Sequence, residues 1–239
     1  MSILSILRTA DIVKALKQEL LAGRSVFDWC FISSGLVVQI VVFIIQPQST
    51  LSFVSALAGI MSVVLCAQGK ITTFFFGFIQ VVTYLILAFE QHLYAEVAQN
   101  FYYFFTMIYG IYVWLRRYRI TDKGSTQLQT RHLKVSIWIL AIVVITTISV
   151  ITGYMLDTFT DDSQPYLDAF TTVPAVFAQI LMILGYREQW IIWFLIDIGL
   201  TAIWVRAGDY CLTAQHIFWC ANCIYGYVNW TKKEDFSSF

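Results

Sequence analysis

Apolar residues in this chain come in long runs, not in the short alternations of a water-solvated fold. Eight runs reach, or nearly reach, the about 20 residues a helix needs to cross a hydrocarbon core. They are residues 26–45, 50–67, 70–89, 94–115, 133–156, 168–184, 188–206 and 210–230. The pattern predicts an all-α integral membrane protein with eight transmembrane helices. The run at 168–184 is the shortest and holds Pro174. A spanning helix tolerates proline where neighbours or water satisfy the freed carbonyl. Ahead of the first run, Ile3, Leu4, Leu7, Ala10, Val13, Leu16 and Leu20 recur at helical spacing between charged residues. Residues 1–25 therefore read as an amphipathic interfacial segment and not as a secretory signal. Residues 231–239 read as a polar cytoplasmic tail.

The runs also repeat. A shift of 116 residues lays YAEVAQNFYYFFTMIYGIYVW (94–114) on YCLTAQHIFWCANCIYGYVNW (210–230), with seven identities in 21 positions. The same shift pairs Gly69 with Gly185 and Phe78 with Phe194. It carries the whole triplet 50–115 onto 168–230. One span, 133–156, separates the triplets, so both enter the membrane in the same sense. The predicted plan is two parallel three-helix repeats joined by a linker helix (3+1+3), with the span at 26–45 as an extra N-terminal helix. Transporters built from such repeats bind solute near the bilayer midplane.

Composition agrees: 59% of residues are hydrophobic and 13% are charged, against about 25% charged in soluble domains. The formal net charge is zero, which gives no bulk attraction to nucleic acid. With both termini cytoplasmic, fourteen of the fifteen Lys and Arg residues fall on the inner side, and only Arg206 falls outside. The 157–168 segment holds four aspartates and no base. That is the positive-inside pattern. Five cysteines in apolar runs fit reduced, buried thiols, and Cys220-x-x-Cys223 lacks the partners of a metal site. No metalloprotease, nucleophile-elbow or Walker motif is present, so the chain is not expected to be an enzyme or to need a metal or cofactor.

Polar side chains inside a span are costly, so those retained mark a candidate pathway. Gln99, Tyr103, Thr106 and Gly110 share one helix face. The shifted set is Gln215, Trp219, Asn222 and Gly226. The alternative reading is helix–helix contact through amides and glycines. Trp190, Trp193 and Asp197 share another face, with Trp190 also placed to anchor at the cytoplasmic interface. An ionised aspartate at mid-membrane costs at least about 2.5–3.5 kcal/mol and must be paired, protonated or wet. Gln80 and Asn100 complete the set of candidate solute-binding residues. His92 and His216 show no carboxylate partner or ligand spacing in the sequence and read as structural or surface groups.

The segments EQHLYAEVAQNFYYFFTMIYGIYVW and RAGDYCLTAQHIFWCANCIYGYVNW, with EQWIIWFLIDI before the second, resemble the PnuC family of bacterial vitamin transporters over about residues 45–235. Trp190-x-x-Trp193 followed by Asp197 carries the resemblance most specifically. It implies a SWEET-like fold and facilitated uptake of nicotinamide riboside across the bacterial inner membrane. It also implies trapping by a cytoplasmic riboside kinase, and a homotrimer in the lipid bilayer. Nicotinamide riboside carries a permanent pyridinium cation. Trp faces bind such cations at about 0.5–2 kcal/mol each, and Asp197 would offset the charge. The amides offer the paired donor and acceptor that a carboxamide needs. Thiamin, riboflavin or a sugar as solute, and proton coupling, remain alternatives within transport. A membrane scaffold or receptor subunit is the alternative outside it.

Overall fold

The computed structural model describes residues 19, 24–47, 49–90, 94–120, 126–161, 164–208 and 210–233. Nearly all of the expected interfacial segment at 1–25, most of the 231–239 tail, and His92 lie outside the described residues. Among the described residues eight helices follow in order: α1 Val26–Ile45, α2 Thr50–Ala67, α3 Thr72–Glu90, α4 Tyr94–Arg117, α5 Val135–Phe159, α6 Pro165–Leu184, α7 Gln189–Ala207 and α8 Tyr210–Lys232. Each coincides with one apolar run of the sequence. Five of them, α1, α2, α3, α5 and α6, are long and apolar enough to cross a membrane. α4, α7 and α8 are 24, 19 and 23 residues long and hold most of the candidate polar residues.

Local chemistry sets the helix ends. Ser25 and Asp28 form a capping box at the start of α1, and the Ser49 hydroxyl accepts the Ser52 amide at the start of α2. Pro165 opens α6 three residues before the expected boundary, at the position where its missing N–H costs nothing. α2 runs out at Gly69 (φ 61°) and α6 at Gly185 (φ 76°), both left-handed, where glycine avoids the Cβ clash. These two glycines are partners under the 116-residue shift. Moved by that shift, the bounds of α2, α3 and α4 fall within about one residue of those of α6, α7 and α8.

The expectation of an all-helical chain needs one amendment. The segment between α4 and α5 contains an antiparallel pair, β1 Tyr118–Ile120 with β2 Thr126–Leu128. Two three-residue strands leave no period-2 pattern long enough to read.

Contacts divide the chain into two compact units, Met1–Asn100 and Phe101–Phe239. In the first, α2 and α3 pack through Ile60, Val64, Leu65, Phe74 and Val81. Hydroxyls fasten the pair: Ser62 Oγ donates to the Thr73 carbonyl (3.1 Å) and Thr73 Oγ1 to the Ser62 carbonyl (2.8 Å). In the second, α5 crosses α6 at Gly153, where a Cβ would lie 2.5 Å from the Tyr166 ring. The outward positions of α5, such as Ile139, Leu140 and Val143, are exposed apolar groups suited to lipid.

After β2 the chain runs as a strap across several helix ends. Arg117 donates through Nε and Nη2 to the Gln129 carbonyl, and Thr130 Oγ1 donates to the Trp230 carbonyl. The Thr130 amide reaches the Lys233 carbonyl, and Arg131 exchanges backbone bonds with Gly185 and Arg187. Carbonyls at the ends of α6 and α8, which a helix cannot satisfy itself, find partners here.

Candidate functional site

α7 and α8 form a tightly packed antiparallel pair, and their facing surfaces hold the most polar interior of the second unit. Asp197, 5% exposed, projects from α7 onto α8. Its Oδ1 lies 3.1 Å from His216 Nδ1, and its Oδ2 takes the Cys223 thiol at 3.8 Å. Thr201 Oγ1 donates to the Asp197 carbonyl at 2.7 Å, one turn on. The His216 ring stands edge-on to Trp219, with centroids 5.0 Å apart at 86°. Trp219 Nε1 is buried without a hydrogen-bond acceptor among the described residues. Asn222 is 2% exposed on the same helix, and Gln215 is half-buried.

His216 corrects the sequence reading. The histidine that showed no carboxylate partner faces Asp197 directly. Asp197 precedes Gly208 by eleven residues and His216 follows it by eight, so a tight antiparallel turn brings them to similar depth, about 16 and 12 Å along the axes. That matching of depth across the hairpin was the available signal. Cys223, set aside with its C-x-x-C, belongs to the same cluster.

The other candidates separate. Trp190 is 4% exposed and packed at the far end of α7, its ring edge-to-face with Trp230 at 5.7 Å. Trp230 in turn meets Trp114 at 5.8 Å, and Trp114 Nε1 donates to the Met182 carbonyl at 3.1 Å. Gly226 exists to admit this ring, since a Cβ there would lie 2.5 Å from Trp190 Cε2. Trp193 is half-buried and packs on the Ile145, Ala178 and Ile192 cluster. On α4, Thr106 Oγ1 accepts from Gln179 Nε2 of α6 at 3.4 Å, with Tyr103 half-buried one turn before it. Gln179, 5% exposed, is a further interior amide that sequence reasoning missed. It sits in an apolar run, where the cost argument applied to its neighbours applies equally.

In the first unit, Gln80 of α3 is half-buried, with its side chain along Gly59 of α2, where a Cβ would lie 3.4 Å from Cγ. Gln99 is half-buried and Asn100 is 3% exposed.

Chemically, the α7–α8 cluster joins an interior carboxylate, an imidazole, an aromatic face with an unused N–H donor, and amides. It suits a cationic, hydrogen-bonding aromatic solute. It contains no Arg or Lys: in the described helices these occur only in the last turns of α4, α7 and α8.

Comparison with known proteins identifies the family. Residues 49–232 match the family described as nicotinamide mononucleotide transporter. The nicotinamide riboside transporter PnuC of Haemophilus influenzae is 32% identical over 91% of this chain and 95% of its own length. PnuC of Neisseria mucosa is 32% identical over 90% of this chain and 85% of its own. A crystal structure of the vitamin B3 transporter PnuC superposes with a TM-score of 0.78 and 30% identity, covering 91% of this chain and 96% of that one.

Proposed function

The chain belongs to the nicotinamide mononucleotide transporter family, a family of membrane transporters and not enzymes, and on that premise we propose that it carries nicotinamide riboside by facilitated diffusion. The observation that carries the solute assignment is the charge of the α7–α8 interior. Asp197 is buried beside the His216 imidazole, with no Arg or Lys in the body of any described helix. A pyridinium cation suits that interior. The mononucleotide named for the family would bring a phosphate, about −1.5 to −2 in charge near pH 7, towards a carboxylate with no Arg or Lys beside it. The riboside named for the relatives fits; the nucleotide does not.

Asp197 supplies the counter-charge, Trp219 an aromatic face and an N–H donor, and Asn222 and Gln215 donors and acceptors for the carboxamide and ribose. Gln80, Gln99, Asn100, Tyr103 and Thr106 are the first-repeat contribution. Trp193 lines the approach along α7, and Trp190 acts through Trp230 and Gly226 as a wall of packing. Movement is alternating access between two parallel three-helix repeats joined by α5, with α1 outside them. The repeated helix bounds and the matched left-handed glycines support that plan. All eight helices cross the bacterial inner membrane, with both termini cytoplasmic as the basic residues favour. A homotrimer, and phosphorylation by a cytoplasmic kinase to trap the riboside, complete the reading.

Thiamin is the second solute this chemistry favours, because its thiazolium ring is also a permanent cation. Riboflavin is uncharged and makes no use of Asp197. Titration of purified protein with the three vitamins, followed by Trp fluorescence, separates them. A response to nicotinamide riboside is expected. Tight binding of thiamin or riboflavin with none of the riboside would replace this solute assignment.

A further inference from the structure

Two buried ionisable side chains meet inside the α7–α8 pair: Asp197 is 5% exposed, His216 is 6%, and Nδ1 lies 3.1 Å from Oδ1. A carboxylate only accepts, so Nδ1 carries a proton whenever Asp197 is ionised, and the neutral ring then leaves Nε2 as an acceptor. Trp219 stands across the imidazole at 86° and fixes its plane. The remaining oxygen has the Cys223 thiol at 3.8 Å, a weak donor that leaves it open to a stronger partner.

We propose that His216 is a positioning residue for the solute: its Nδ1–H holds one oxygen of Asp197, so that the pair presents a single oriented negative charge to the pyridinium ring of nicotinamide riboside. This rests on the reading of Asp197 as counter-charge. The pair has two states. As carboxylate and neutral imidazole it bears −1 and complements a cation. After taking up one proton it is neutral and does not. Proton and cation therefore compete for one pair, and each weakens the other by the same factor. Among the described residues, the other titratable groups facing it are Cys220 and Cys223 of α8. α6, which packs on α7, brings its one acid, Asp168, only in its first turn.

The test compares binding of nicotinamide riboside and benzamide riboside, its uncharged isostere, to purified full-length protein between about pH 5.5 and 8.5 by calorimetry. Wild type is expected to lose affinity for the cation, and not for the isostere, as pH falls. His216→Ala weakens cation binding about tenfold, the scale of one charge-assisted hydrogen bond, and leaves the isostere within about twofold. His216→Asn, whose amide N–H sits near the position of Nδ1, restores most of the loss and moves the pH midpoint. His216→Ala added to Asp197→Asn has no further effect. Equal weakening of both solutes by His216→Ala, or no restoration by Asn in a protein of unchanged thermal midpoint, overturns the proposal. Should the Ala variant not fold, His216→Gln, with its amide near Nε2 instead, replaces it with the same expected loss. An Asp197→Asn protein that still binds the cation fully removes the counter-charge reading itself. Sensitivity at Asp197 with silence at His216 overturns only the positioning role.

Discussion

At the scale of single residues, Gly226 and the three tryptophans Trp190, Trp230 and Trp114 explain one another. Gly226 has no side chain because Trp190 occupies the space, 2.5 Å from where a Cβ would stand. Gly226→Ala is expected to cost about 1–3 kcal/mol through overpacking, seen as a lower thermal midpoint in detergent. Adding Trp190→Leu should return part of it, and an unchanged midpoint in the single variant would refute this contact. Asn222, buried on the α8 face nearest the cluster, has a different expected signature. Asn222→Ala should lower riboside affinity about tenfold, the scale of a lost hydrogen bond to a charged or strongly polar solute. Unaltered binding in that variant would show that Asn222 does not contact the solute. The sequence made Asp197 legible because an acid in an apolar run has few inexpensive explanations. It hid His216 because the pairing lies across two helices, and its neighbours in sequence, Gln215 and Ile217, say nothing about Asp197. Trp190 and Trp193 look equivalent in the motif, yet packing sends one to Trp230 and the other to Ile192.

At the scale of elements, helix bounds were readable to within a few residues because run length, caps and glycines all point the same way. The strap after β2 was not, because its stability comes from carbonyls at the ends of distant helices. Thr130 is fully buried, and its hydroxyl serves the Trp230 carbonyl. Thr130→Val keeps the shape and removes that donor, so a loss of about 1–3 kcal/mol is expected, measured as unfolding midpoint, with solute affinity little changed. Gly185→Ala places a Cβ on a backbone at φ 76° and should cost roughly 1–2 kcal/mol. Equal stability of either variant would show that the strap and the α6 turn do not hold this end of the second unit together.

At the scale of the whole molecule, the repeat and the charge distribution act together. The proposed parallel repeat needs an odd linker span, and α5, apolar and outwardly exposed, is the helix that would supply it. On that proposed plan of eight spans, the C-terminus would lie on the side of the N-terminus. A reporter fused after Phe239 should be active only if it folds in the cytoplasm, and periplasmic activity would contradict the span count. The central claim is facilitated transport of the riboside. Its most direct test is uptake of labelled nicotinamide riboside into kinase-free liposomes containing the purified protein. The account predicts rapid entry that stops when internal and external concentrations are equal, and that a pH gradient does not carry beyond equality. Accumulation above the external concentration under a pH gradient, or entry no faster than in empty liposomes, would contradict it.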